Sequence, residues 1–220
     1  LPVTYVRGPG GGAHRTPRGL MSEYPRFGRI WELVRSVGQW VFRHDPLFIA
    51  GQNRAAALLV CNKEAMEELP PSWSEKAKMF PVNGISDSDL ALTIRTGGPH
   101  PEFRVLSAGT LIRVKGFALA IKAFHKFLES HGNAKFTIFG DGPEAPKLRV
   151  LIRRLGLVGK VELKPELPRD ELLREMTAHD VFLFPSLRDG GGAVVVEALA
   201  AGTPVLCLDV GGPAMHVSEE

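Results

Sequence analysis

The sequence predicts an α/β protein built on a doubly wound parallel sheet, and three observations carry that prediction. From about residue 103 to 208, short apolar runs alternate with segments whose apolar residues recur at helical spacing. That alternation is the mark of parallel strands covered by helices on both faces. Between one such run and the next helical segment lies Gly190-Gly191-Gly192, a strand-to-helix loop stripped of side chains. The chain has 220 residues, 44% hydrophobic and 23% charged, so it can bury a substantial core without long like-charge blocks.

The elements of this half follow in order. Residues 103–109 read as a strand running into a loop, and in 116–127 Phe117, Ala120, Ile121 and Phe124 recur at helical spacing, continued by Leu128. Residues 135–139 are a second strand, closed by Gly140-Asp141-Gly142-Pro143. Residues 147–155 are helical in spacing and 160–163 a short strand. Pro168-Arg169-Asp170 starts a helix to about Ala178, since Pro is tolerated where an N–H would be unpaired anyway. Residues 180–184 are an apolar strand, a helix follows the three glycines, and 203–208 is the last complete strand before Gly211-Gly212-Pro213.

Gly140, Gly142 and Ala145 also fit a G-x-G-x-x-A outline, with Glu162 twenty residues past Gly142, which is the pattern of an NAD-binding loop. That fingerprint normally belongs to the first strand of its domain, whereas a strand–helix unit already precedes this one. Gly8-Pro9-Gly10-Gly11-Gly12-Ala13 matches the same outline, so the match is cheap.

The first hundred residues read differently. Residues 2–7 are a candidate strand and 8–19 a Gly- and Pro-rich loop carrying His14, Arg15 and Arg18. Residues 27–41 predict a helix with Ile30, Leu33, Val34, Val37 and Val41 on one side and Arg26, Arg29, Arg35 and Arg43 decorating it. The preferred reading is a helix packed on a sheet with its basic face in water. The other is a helix lying on an anionic membrane surface. Residues 55–61 predict a strand, 62–69 a short helix and 78–81 another strand. Thr96-Gly97-Gly98-Pro99-His100-Pro101 has linker composition. These observations, with a resemblance at residues 82–85, divide the chain into residues 1–84, a hinge or linker at 85–102, and residues 103–220.

The chemistry concentrates at residues 185–202. Asp189 stands before the triple glycine and Glu197 after it, eight positions on. Glycines let backbone N–H groups approach a ligand closely. The start of the following helix attracts anions through unpaired N–H groups and its dipole. A carboxylate beside a phosphate loop is repelled by the anion, so Asp189 must serve another group, such as sugar hydroxyls. A diphosphate together with several hydroxyls is the content of a sugar nucleotide.

At these residues the chain resembles the retaining glycosyltransferases of family 4, which have the GT-B fold. That family carries two Glu separated by seven residues around a Gly-rich loop, followed by Ala-Gly-Xaa-Pro-Val. Here Glu197 closes the loop and Ala201-Gly202-Thr203-Pro204-Val205 follows, while Asp189 stands where the first Glu is usual. The family also has Gly-Arg-Leu and then Lys-Gly after an earlier strand. This chain has Gly109-Thr110-Leu111 and Lys115-Gly116, so the Lys matches and Thr110 replaces the Arg. Val82-Asn83-Gly84-Ile85 resembles the hinge at which family chains cross from acceptor domain to donor domain, and the Gly-Asp-Gly-Pro turn at 140–143 also matches.

The resemblance implies a GT-B type α/β fold. Residues 103–220 would be a Rossmann-like donor domain truncated at its C-terminus, before a final strand and a return helix. Residues 1–84 would be the last part of a Rossmann-like acceptor-binding domain. It implies a glycosyltransferase moving a sugar from a nucleotide-diphosphate sugar to an acceptor hydroxyl, with anomeric configuration retained, in polysaccharide, glycolipid or other glycan synthesis. Lys115 and Asp189 would be catalytic. Arg113 (in place of the missing Arg), Thr110, Gly140, Gly190, Gly191, Gly192, Ala193, Val194 and Glu197 would bind the donor, with Asp189 on its sugar hydroxyls and Glu197 on its ribose. It implies no required cofactor and no metal, a glycan or lipid-linked acceptor, and a cytoplasmic site at the inner face of the membrane. A sugar-nucleotide epimerase of the same fold and a degenerate sugar-nucleotide-binding module are the alternatives, followed by an NAD-binding domain.

Composition narrows the classes further. The net charge of +3 is modest, and its excess lies in the first fifty residues, where seven Arg face three acidic residues. That favours a phosphate-bearing or membrane-surface partner over nucleic acid, for which no recognition motif is present. Cys61 and Cys207, the two cysteines, sit in apolar runs and read as buried thiols rather than a disulfide. The seven His show no metal-ligand spacing, and no apolar run reaches membrane-spanning length.

Overall fold

The computed structural model describes residues 4–10, 16–93 and 101–217. His14, the segment 11–13 and Thr96 to His100 of the expected linker lie outside the described residues. Two parallel sheets organise the chain. The first is a three-stranded sheet of β1 (Val6–Gly10), β2 (Ala57–Val60) and β3 (Ala77–Met79) in that order. Between β1 and β2 run α1 (Arg26–Arg43) and α2 (Pro46–Arg54); between β2 and β3 run the short α3 (Lys63–Glu67) and α4 (Pro71–Ser74). Asp45 and Asn62 cap α2 and α3 by accepting from Phe48 N and Ala65 N, at 2.9 and 2.8 Å.

Next come α5 (Asp87–Leu92), β4 (Phe103–Ala108), α6 (Phe117–Ser130), β5 (Ala134–Phe139) and α7 (Ala145–Arg154). They are followed by β6 (Val161–Lys164), α8 (Arg169–Thr177), β7 (Val181–Phe184), α9 (Ala193–Ala200), β8 (Val205–Cys207) and α10 (Gly211–Ala214). The second sheet has the order β6-β5-β4-β7-β8, all pairs parallel. The order reverses between β4 and β7. Loops leaving the carboxyl ends of two such strands diverge to opposite faces and leave a crevice there.

Strand alternation explains the two cores. Val105, Phe136 and Ile138 point to one face and pack with Ile121, Phe124 and Leu148 of α6 and α7. Leu106, Phe182 and Phe184 point to the other and pack with Leu173, Met176, Val195 and Ala198 of α8 and α9. This second sheet is the doubly wound α/β unit expected at 103–220.

Several expectations change. The first strand starts at Val6 and runs through Gly10, so it takes in residues read as loop. The stretch expected as linker contains α5, closed at its start by a capping box in which Ser86 and Asp89 bond each other's backbone N–H. Leu92 of α5 packs into the second core. Helix α2, absent from the sequence reading, has only a weak apolar stripe.

The largest difference is α1. It is helical as expected, but its apolar side does not pack on a sheet: Phe27, Trp31, Leu33 and Trp40 are each at least 60% exposed. Its polar side faces the protein instead. Glu32 accepts from both Arg35 and Arg188, and Arg43 pairs with Glu68. No helix among the described residues is long and apolar enough to cross a membrane.

Candidate functional site

A cleft of about 500 Å³ opens at the carboxyl ends of β4 and β7, where the strand order reverses. Its size is that of a small-molecule site. The second unit lines it with Thr110, Lys115, Glu166, Asp189, Ala193, Val194 and Glu197, and residues 82–83 close it from the first unit's side. Thr110 follows β4 directly. Lys115 ends a 3-10 turn, Arg113–Lys115, that is held against the loop after β7 by Leu187 N donating to Val114 O at 2.8 Å. Gly116 then turns left-handed, φ +70°, to start α6.

Lys115 and Asp189 meet across the cleft. Lys115 Nζ lies 2.5 Å from Asp189 Oδ2 and 5.5 Å from the centre of the Phe184 ring. Asp189 Oδ1 accepts from Gly191 N at 3.1 Å and Gly192 N at 2.9 Å. Burial alone would raise the Asp189 carboxyl, but Lys115 and these two N–H groups outweigh it and hold it below the ordinary carboxylate value. Asp189 is therefore ionised at neutral pH and braces its own loop.

This arrangement redistributes the parts assigned to the glycines. The N–H groups of Gly191 and Gly192 are turned to Asp189, so the donors left at the mouth of α9 are those of Ala193 and Val194, its first two residues. The space beside the glycines is filled by protein. A Cβ on Gly191 would lie 2.7 Å from Val82 Cγ2, and one on Gly192, at φ +65°, 2.7 Å from Pro213 Cγ. Three side chains of the first unit grip the same region. Asn83 Nδ2 donates to Gly191 O at 2.6 Å, Asn62 Nδ2 to Gly190 O at 3.2 Å, and Glu64 Oε1 accepts from Gly211 N at 2.8 Å.

Three expected residues lie outside the cleft lining: Gly190, whose carbonyl is held by Asn62, and Arg113 and Gly140. Arg113 turns away from Lys115 and pairs with Glu144 at 3.1 Å, on the far side of the turn, so it adds no cation to the cleft wall. Gly140 stands behind the wall: a Cβ there would be 2.0 Å from Gly109 O. A Cβ on Gly142 would lie 2.6 Å from Leu111 O. The glycines of the supposed dinucleotide fingerprint thus serve to press the loop after β5 against the loop after β4.

The sequence reading missed one cation. Arg169, the first residue of α8, donates from Nε to Glu197 Oε1 at 2.7 Å and from Nη1 to Asp89 Oδ1. The pairing holds Asp89 well below and Arg169 above their ordinary pKa values, in each case chiefly through the hydrogen bond between the two. Nothing in residue spacing joins positions 89, 169 and 197. Among the described residues, no group of three or more His, Cys, Asp or Glu is arranged to hold a metal ion.

Comparison with known proteins agrees with the topology. The model of the family "Glycosyl transferases group 1" matches residues 94–220, more than half of the chain. The 2-deoxystreptamine glucosyltransferase of Streptomyces kanamyceticus is 34% identical over 181 residues, covering 82% of this chain and 47% of that protein. The D-inositol 3-phosphate glycosyltransferase of Acidothermus cellulolyticus is 34% identical over 127 residues, 54% of this chain and 28% of that one. Among solved structures, the pneumococcal O-GlcNAc transferase GtfA in complex with UDP and GlcNAc superposes with a TM-score of 0.64 at 21% identity, over 79% of this chain and 34% of that one. Anabaena Alr3699/HepE in complex with UDP and glucose gives 0.56 at 22%, over 78% and 50%. The chain spans about half the length, or less, of these relatives. Its fold is that of the GT-B transferases, and the chain belongs to the glycosyl transferases group 1 family.

Proposed function

We propose that the cleft binds a nucleotide-diphosphate sugar and that the whole protein transfers the sugar to an acceptor hydroxyl with retention of configuration. The observation that carries this reading is the pairing of opposite chemistries in one crevice. Lys115 and the free N–H groups of Ala193 and Val194 suit a diphosphate, while Asp189 and Glu197 suit hydroxyls. The diphosphate would compete with Asp189 for Lys115, and Asp189 Oδ2 would turn to hydroxyls of the donor sugar. Glu197 would accept from the ribose.

In the transfer, the bond between the anomeric carbon and the diphosphate oxygen breaks and a bond to the acceptor oxygen forms. Negative charge grows on the leaving diphosphate, where Lys115 and the start of α9 stabilise it. In this reading no carboxylate of the cleft is assigned as a nucleophile, and two of them are already engaged. Asp189 is held by Lys115 and two N–H groups, and Glu197 by Arg169. The acceptor's proton then passes to the leaving diphosphate on the same face, which retains configuration. The residues 1–84 would be the closing part of the acceptor-binding domain and 103–220 the donor domain. A glycan or lipid-linked acceptor, and a place in glycan synthesis on the cytoplasmic side of a membrane, complete the reading.

Calorimetric titration with UDP, GDP and ADP tests it. One of the three should bind, and Glu197→Ala should weaken that binding by about 1–3 kcal/mol, the worth of a hydrogen bond to a charged group. Binding of none, or unchanged affinity in the variant, overturns the assignment of the cleft.

A further inference from the structure

Arg169 sits in an electrostatically unfavourable place. It is the first residue of α8, and the start of a helix repels a cation. Two carboxylates offset that cost. Glu197 Oε1 accepts from Nε at 2.7 Å, and Asp89 Oδ1 accepts from Nη1. Both carboxylates are largely shielded from solvent, whereas the Arg169 side chain is 44% exposed. Asp89 is itself fixed, its Oδ2 accepting from Ser86 N at 3.0 Å and Ser86 Oγ at 2.7 Å. The row Ser86–Asp89–Arg169–Glu197 therefore runs from the start of α5 to the wall of the cleft. Helix α5 follows the segment whose Asn83 grips the glycine loop.

We propose that Arg169 is a positioning residue for Glu197. It occupies Oε1 and locks the carboxylate in one orientation, leaving Oε2 for hydroxyls in the cleft; Oε2 takes no partner among the described residues. Through Asp89 it ties that orientation to the crossover helix α5. The planar guanidinium is what allows this, because one side chain spans two carboxylates in a fixed fork, which an ammonium does not do. The inference rests on the reading of Glu197 as the acceptor for ribose hydroxyls. It adds that ribose recognition depends on a residue outside the cleft wall and on the placement of the crossover.

The test is a ratio rather than an affinity. Unmodified protein is titrated with UDP, GDP and ADP, then with the 2′,3′-dideoxy counterpart of the tightest binder. The dideoxy compound should bind about tenfold more weakly or worse, the effect of losing a charged hydrogen bond. Arg169→Gln should bring that ratio close to one, as Glu197→Gln should, because an unheld carboxylate no longer selects for the ribose. Arg169→Lys should behave like Arg169→Gln, since it keeps the charge and loses the fork, and Asp89→Asn should shift the ratio the same way. A merely structural role would weaken both ligands equally and leave the ratio intact, and that result, or full rescue by Arg169→Lys, overturns the proposal. An unmoved ratio in Asp89→Asn overturns the link to α5. If unmodified protein binds no diphosphate, or does not discriminate between the two sugars, the reading of Glu197 fails before any Arg169 variant is made.

Discussion

Gly116→Ala is the most instructive single perturbation, because two separate costs can be worked from the structure and one of them can be measured elsewhere. Gly116 has φ +70°, a region that costs an L-residue about 1–2 kcal/mol. A Cβ there would also lie 1.9 Å from Pro185 O, a backbone atom that cannot rotate away. Relieving that contact means moving the turn at 113–115 off the loop after β7, at about 1–3 kcal/mol for an overpacked site. The total is about 2–5 kcal/mol. Gly156 supplies the control, with φ +68° and nothing within 4 Å of its Cβ, so Gly156→Ala carries the backbone cost alone.

Thermal unfolding followed by circular dichroism separates the two. At about 2–4 °C per kcal/mol for a chain of this size, Gly156→Ala should lower Tm by about 2–8 °C and Gly116→Ala by about 4–20 °C. The excess is the clash with Pro185. The same displacement would draw Lys115 away from Asp189, so nucleotide affinity should fall in Gly116→Ala and stay unchanged in Gly156→Ala. Equal Tm losses in the two variants would refute the steric argument.

Two further outcomes follow from buried titratable groups. Burial holds His179 below its ordinary value of 6.5, while Nδ1 contacts Glu175 O at 2.6 Å and Glu175, Asp180 and Arg104 supply the nearby charges. The folded state therefore binds its proton later than the unfolded state, and stability should be full above pH 6.5 and decline as pH falls from there to the depressed folded value. The slope of Tm against pH in that window should flatten in His179→Gln, and an unchanged slope would remove His179 as its source. Burial raises the thiols of Cys61 and Cys207, and Asp209 adds to the second. Iodoacetamide at neutral pH should alkylate native Cys61 far more slowly than the same residue in urea; equal rates would contradict its burial.

How much was legible in the sequence depended on whether the signal was local. Most elements of the second unit were legible because its central strands bury both faces and helices such as α6 and α7 carry their own apolar stripe. Strand 135–139, for example, needs no partner to be recognised, and Phe136 and Ile138 are fully buried in the structure. Lys115, Asp189 and Glu197 were brought together by the family resemblance and all three line the cleft, but the ion pair between Lys115 and Asp189 was not foreseen. Helix α1 shows the limit. Its period was plain, but period alone does not say which side meets the protein. That was decided by Glu32 reaching Arg188, 156 positions away. Arg169 was illegible for the same reason, since its partners lie 80 and 28 positions off and share no pattern with it.

The glycine loop carries the other lesson. Three glycines between a strand and a helix suggest space kept open for a ligand, yet in the structure the space beside Gly191 and Gly192 is taken by Val82, Asn83 and Pro213. The loop is shaped from outside. Asn62 and Asn83 hold the carbonyls of Gly190 and Gly191, Asp189 holds the N–H groups of Gly191 and Gly192, and Glu64 holds Gly211. With so many of its polar groups engaged by named side chains, the loop has few alternative conformations, and the N–H groups of Ala193 and Val194 are fixed at the mouth of α9 before any ligand arrives. Asn62, wholly buried, is the most committed of these side chains, because truncating it would strand the Gly190 carbonyl and Ala65 N at once. The second unit supplies the chemistry of the cleft, and residues 62–83 of the first unit supply its shape, so the cleft is a joint property of the two.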